Sequence, residues 1–123
     1  MEIRAYDEAY TSNAQSILGH MVDFAVMSLN IEPDVFGNAF AVSPASRQFA
    51  CGNPRYVAGM SGCELARQVL SETNMAFTDV PDAMFIDKSP EYWAGWALAY
   101  YQWYSSRSFM EILSVTSLSR IIG

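Results

Sequence analysis

The sequence is poor in the residues on which metal sites and disulfide frameworks depend. Its 123 residues include two cysteines, Cys51 and Cys63, and one histidine, His20. Without a CxxC or HxxxH pair, the pattern favours two buried, reduced thiols and a structural histidine. A zinc site that combines these residues with Asp23 is an alternative that the spacing does not support. We therefore expect neither a metal nor a cofactor.

Catalytic signatures are also missing. The chain has no GxSxG nucleophile motif, no GxxxxGK[ST] phosphate loop and no GxGxxG dinucleotide loop. Acidic pairs such as Asp79 with Asp82 stand at loop positions, which are more typical of solvated carboxylates than of a glycosidase pair. The sequence thus favours a protein that is not an enzyme, and a small metal-dependent enzyme that uses His20 is the alternative.

Positive charge is scarce. Six arginines and Lys88 face thirteen acidic residues, which gives a net charge of −6 and a pI near 4.5. Such a chain is repelled by a phosphate backbone, so we expect no direct binding of nucleic acid. The acidic excess suits a protein partner with a basic surface, although it also serves solubility alone.

Long apolar runs are absent as well. A membrane-spanning helix needs ~20 apolar residues, and the longest uncharged stretch here falls short of that. Acidic residues precede the first hydrophobic stretch, unlike in a signal peptide. We expect a cytoplasmic protein that does not enter the membrane.

What the chain does contain is enough apolar material for a packed core and clear helix-start signals. Hydrophobic residues make up 51% and aromatic residues 14%. Apolar periodicity and capping residues predict helices from Asp7 to about Asn30, after Glu32, across Pro54, and after the capping boxes that begin at Ser61 and Ser108. We predict an all-α fold, with residues 1–123 forming a single-domain helical bundle around a central aromatic helix.

That central helix holds all three tryptophans and four of the seven tyrosines, with no charge between Glu91 and Arg107. Ser89 and Pro90 suit its start. A helix that is apolar nearly all round is typical of a core, so we expect Trp96 and Tyr100 to be largely buried. The alternative is that part of its aromatic surface contacts a partner.

Residues 74–88 have no helical period and mix Met and Phe with aspartates. We predict an ordered loop, with a short strand as an option, and propose it as the partner-binding segment. The predicted contact residues are Asp79, Asp82, Met84, Phe85 and Asp87.

Three stretches carry a family resemblance: residues 52–62 (GNPRYVAGMSG), 91–96 (EYWAGW) and 100–104 (YYQWY). Together with the opening Arg4-Ala5-Tyr6, they resemble a family of small proteins from gut Firmicutes and their mobile elements. The similarity spans nearly the whole chain. In that family, the domain often precedes a repressor-type helix-turn-helix and is encoded near toxin–antitoxin-like genes. The chain ends at Gly123 without such a module, so we do not carry DNA binding over.

The resemblance and the acidic charge together predict a non-enzymatic inhibitor or antitoxin-like regulatory module that acts on a partner protein. One alternative is an anti-CRISPR-type inhibitor, whose carboxylates occupy the nucleic-acid channel of a Cas effector. Another is a purely structural homodimer. The small metal-dependent enzyme is a further alternative from a different class.

Overall fold

Helices make up all the regular structure in the computed structural model, which describes residues 4–82 and 88–123. The predicted all-α bundle is therefore confirmed, and the predicted short strand is not seen in residues 74–82. A 3₁₀ turn (Glu8–Tyr10) leads into the first helix. The helices are α1 (Thr11–Asp23), α2 (Pro33–Val42), α3 (Pro44–Ala50), α4 (Pro54–Val57), α5 (Gly62–Glu72), α6 (Pro90–Ser105), α7 (Phe109–Val115) and α8 (Leu118–Ile122).

Most helix starts follow the capping residues of the sequence. Ser61 and Ser108 each accept a hydrogen bond from the backbone N–H of the glutamate three residues on, and each glutamate accepts one in return. Both predicted capping boxes are confirmed. The Ser89 hydroxyl likewise accepts the Tyr92 N–H at 3.0 Å, at the start of α6. These caps explain why so many short helices begin where they do.

The end of the first helix differs from a simple α-helix. After Asp23 the chain widens into a π turn, Phe24–Ser28. The Leu29 N–H donates to the Phe24 carbonyl at 2.9 Å, and Asn30 takes a left-handed φ of 57° that stops the helix. The prediction that the first helical segment runs to about Asn30 is confirmed, and its last turn is a π turn.

The last helix, α8, was not predicted as a separate element. Thr116 is extended, and Ser117 caps a new turn by accepting the Arg120 N–H at 3.4 Å. Asp34 of α2 then accepts two hydrogen bonds from Ser119, at 2.9 and 2.8 Å. This long-range contact holds α8 against α2, and local sequence patterns do not reveal it.

The core is a single cluster of buried apolar side chains from α1 to α8. Its largest fully buried side chains are phenylalanines. The Phe109 ring packs against those of Phe40 and Phe49, with centroid distances of 4.7 and 5.9 Å. No helix in residues 4–82 or 88–123 has the length and apolar character needed to cross a membrane.

The most extensive helix pair is α1 with α6, and it depends on two glycines. A Cβ on Gly95 would overlap the Leu18 carbonyl and lie 2.6 Å from its carbon. A Cβ on Gly19 would lie 2.6 Å from the ring of Tyr92. Real Cβ atoms do not approach other atoms this closely, so the two backbones meet only because both positions are glycine.

Gly95→Ala should therefore destabilise the fold strongly. Overpacking a core costs on the order of 1–3 kcal/mol, and here the new methyl meets backbone, which relaxes less than a side chain. Ala97→Ser, on the solvent side of α6, is the matched control and should change the free energy of unfolding by less than about 0.5 kcal/mol. Urea unfolding measures both, and equal midpoints would contradict the role assigned to Gly95.

Candidate functional site

Five of the seven large rings of α6 lie on its outer side. Between 39% and 51% of each remains exposed. The prediction that Trp96 and Tyr100 are buried is therefore wrong. The aromatic face, as we name it, consists of Trp93, Trp96, Tyr100, Tyr101 and Tyr104.

The reason lies on the opposite side of the same helix. Ala94, Gly95 and Ala99 are buried there with Leu98, and small side chains are what the close approach to α1 requires. The large aromatic residues and the small residues of α6 both recur with the helical period. Only the face with the small residues fits against Gly19 of α1. The bulky rings consequently point to solvent.

Two other aromatic residues of α6 do enter the interior. Tyr92 packs over Gly19, and Trp103 is 7% exposed. The Trp103 indole N–H donates to the Tyr6 carbonyl at 2.8 Å, and the Trp103 carbonyl accepts the Ala5 N–H at 3.0 Å. These bonds fasten the N-terminal segment to the end of α6.

Contacts among the rings order the aromatic face. Trp93 and Trp96 meet edge to face with centroids 5.8 Å apart, and Tyr100 stacks with Tyr104 at 6.1 Å. The Arg4 guanidinium lies 3.9 Å above the Tyr104 ring. Rings held in this way lose less rotamer freedom when a partner covers them, which favours binding.

The predicted loop contacts have a different environment. Arg67 of α5 binds Asp79 at 2.9 Å and Asp82 at 2.6 Å, and its guanidinium lies over the Phe24 ring. The hydrogen bond from Arg67 holds the pKa of Asp79 below its usual value. Both carboxylates stay more than half exposed, so a partner can still reach them. Met84, Phe85 and Asp87 lie outside the described residues.

The four residues considered for zinc are not brought together. Cys63 is buried and Cys51 is exposed, so the expectation of two buried thiols is wrong for Cys51, although both are reduced thiols. Asp23 accepts a hydrogen bond from the Ser89 hydroxyl at 2.5 Å. In residues 4–82 and 88–123, no group of three or more His, Cys, Asp or Glu side chains is placed to hold a metal ion.

His20 is part of α1 and faces the start of α6, with its ring centroid 5.0 Å from that of Tyr92. Burial is the main cause that lowers the pKa of His20 below its usual 6.5, and the positive charge of Lys88 lowers it further. The negative charge of Asp23 acts in the opposite direction. The folded protein therefore holds a proton on His20 less readily than the unfolded chain does.

Comparisons with protein-family models, with curated proteins and with solved structures gave no match. The similarity of residues 52–62, 91–96 and 100–104 to a mobile-element family accordingly stays a prediction. The aromatic face is the most distinctive feature of the surface.

Exposure of Trp96 changes what its removal should do. Trp96→Ala should cost at most about 1–2 kcal/mol, because much of the ring is already in water, whereas Trp103→Ala should cost about 3–5 kcal/mol as a buried ring does. Thermal melts followed by far-UV circular dichroism compare the two. A Trp96→Ala loss as large as that of Trp103→Ala would contradict the exposed placement.

His20 should give the stability a pH dependence near neutrality. Because its pKa is lower in the folded state, its contribution is complete above pH 6.5 and is lost as the pH falls through 6.5 toward the folded pKa. Urea midpoints should decrease from pH 7.5 to 5.5, and His20→Gln should flatten that decrease. An unchanged slope in the variant would assign the pH dependence to another group.

Proposed function

We propose that this chain is a non-enzymatic, protein-binding module that inhibits or regulates a partner protein in an antitoxin-like manner, and that the aromatic face of α6 is its main contact. The observation that supports this is the exposure of five large rings on one helix, each 39–51% open to solvent. Tryptophan and tyrosine are the residues most enriched among binding hot spots.

The size of the face supports this assignment. A ring of this kind covers ~150–250 Å² when fully buried, so five half-exposed rings leave roughly 350–580 Å² uncovered. The largest apolar patch of a typical monomer is ~300–600 Å² and is often functional, while one side of a standard interface buries ~800 Å². The aromatic face thus supplies the centre of an interface, and neighbouring surface supplies the rim.

Charge selects the kind of partner. The face lies in a stretch without charge, but the chain as a whole carries −6. Two copies of the chain repel each other at long range, whereas a partner with a basic surface is attracted. We therefore commit to a basic protein as the occupant, with Asp79 and Asp82 as peripheral acidic contacts.

The alternatives have less support. Carboxylate mimicry of nucleic acid, as in an anti-CRISPR-type inhibitor, would make acidic groups the main contact, whereas the largest exposed feature here is the uncharged aromatic face. A metal-dependent enzyme would show stoichiometric zinc that is lost in His20→Ala. In residues 4–82 and 88–123, no group of three or more His, Cys, Asp or Glu side chains is placed to hold that zinc ion.

The decisive experiment uses two double variants of the full chain. A partner captured by the wild type is purified, and its affinity is measured by isothermal titration calorimetry. Trp93→Ser with Tyr100→Ser should weaken binding by about thirtyfold or more, since hot-spot residues contribute ~2 kcal/mol or more. The matched control is Met27→Ser with Val42→Ser, two residues of similar exposure outside the face.

The control should bind like the wild type. Equal affinity of all three proteins would remove the aromatic face from the interface. Sedimentation supplies a second check: if the wild type dimerises and the Trp93→Ser, Tyr100→Ser variant stays monomeric, the face joins two copies and the proposal of a basic partner fails.

The acidic loop gives an independent kinetic prediction. Replacing Asp79, Asp82 and Asp87 by asparagine should lower the association rate more than it raises the dissociation rate, because exposed charges act on the encounter. The rate should also fall with salt as the Debye length shrinks from ~10 Å at 0.1 M to ~3 Å at 1 M. Surface plasmon resonance measures both rates, and an unchanged salt dependence in the variant would exclude this loop as the steering element.

A further inference from the structure

Two neighbouring cavities lie at the C-terminal end of α6. The first, of about 270 Å³, opens between α6, α7 and α8 and has a mainly apolar wall. Leu98, Tyr101, Ile112, Val115 and Ile121 supply that wall. Its volume is close to the lower end of the range of small-molecule pockets, ~300–1,000 Å³, which are typically apolar with a few polar groups.

The second cavity, of about 450 Å³, is wider, and its wall holds more charged and polar residues than that of the first. Its wall includes Arg4, Arg47 and Arg107, three of only seven basic residues in the chain. Arg107 and Glu111 belong to the walls of both cavities, so the two spaces adjoin at this pair.

The balance of charge in the second cavity is positive. Glu111 is its one acidic wall residue, against three arginines. The Glu111 carboxylate already accepts hydrogen bonds from the N–H and the hydroxyl of Ser108, both at 3.2 Å. Arg47 and Arg107 form no ion pair with any carboxylate in the part of the chain that the structure describes. In an acidic protein, two arginines that line one cavity and form no ion pair favour an anion from outside.

The backbone behind the arginines is held in place. Gln102, only 1% exposed, donates from its side-chain nitrogen to the Arg107 carbonyl at 3.0 Å and to the Ala50 carbonyl at 3.3 Å. These bonds tie the loop after α6 to the end of α3. A wall fixed before binding reduces the entropic cost of holding a ligand.

We propose that the two cavities together bind a small amphipathic carboxylate, with its apolar chain in the first cavity and its carboxylate on the arginines of the second. Arg107 stands at the junction and contacts the carboxylate. The site shares Tyr101 with the aromatic face, but it takes a small ligand and not a protein.

Calorimetric titrations of the wild type with three compounds distinguish the contribution of the apolar chain from that of the carboxylate. Octanoate carries both the chain and the charge, 1-octanol the chain alone, and acetate the charge alone. Octanoate should bind saturably at one site. 1-Octanol should bind at least about tenfold more weakly, because it cannot accept charge-assisted hydrogen bonds from the arginines. Acetate should also bind at least about tenfold more weakly, because it lacks the apolar chain that fills the first cavity. Equal affinity for octanoate and 1-octanol, or no saturable binding of octanoate, would overturn the proposal.

Variants then test the assigned arginine. Arg107→Gln should weaken octanoate binding about tenfold and leave 1-octanol binding unchanged. Arg55→Gln is the matched control, since Arg55 is exposed and lies outside both walls. If Arg107→Gln does not fold, Arg47→Gln serves in its place with the same expected direction. Octanoate affinity equal to that of the wild type in a folded Arg107→Gln or Arg47→Gln variant would contradict the site.

Discussion

The contact of α1 with α6 through Gly19 and Gly95 determines how the rest of the molecule is arranged. The backbone of α1 meets α6 directly at Gly95, and the Tyr92 ring fills the space beside Gly19, so neither position has room for a methyl group. A helix that approaches so closely must turn its small residues inward. The orientation of α6, and with it the position of every large ring on that helix, follows from this steric requirement.

Hydrogen bonds at the two ends of α6 connect it to other segments of the chain. At its start, Ser89 joins the helix cap to Asp23 at the end of α1. At its end, Trp103 holds the N-terminal segment by one side-chain and one backbone hydrogen bond, and the Gln102 side chain holds the connection to α7. The aromatic face therefore lies on a helix that is fixed at both ends. A surface that is rigid before binding loses little conformational entropy when a partner covers it.

The sequence predicted those features that depend on neighbours along the chain. Capping boxes at Ser61 and Ser108 involve residues three apart, so their geometry can be read from spacing. The orientation of α6 could not be read in this way, because its aromatic stripe and its small-residue stripe have the same period. Only the facing Gly19 decides between them, and it lies more than seventy positions away.

In the candidate sites, too, the sequence predicted local features but not the contacts between distant residues. Exposed loop aspartates were predicted from composition, but their shared bond to Arg67 joins residues 12 and 15 positions apart across a loop. The arginine-lined cavity draws Arg4, Arg47 and Arg107 from three distant segments, so no local motif marks it. Function was the least accessible from the sequence, since recognition by a surface leaves no fixed spacing of residues.

The placement of the tryptophans also divides the protein's own fluorescence into two signals. Trp93 and Trp96 already face water in the native state, whereas Trp103 is buried and hydrogen-bonded. Unfolding changes the surroundings of Trp103 most, and a ligand on the aromatic face changes those of the other two. Emission that shifts to the red reports loss of the fold, while emission that shifts to the blue reports a covered surface, so one unlabelled protein distinguishes the two events.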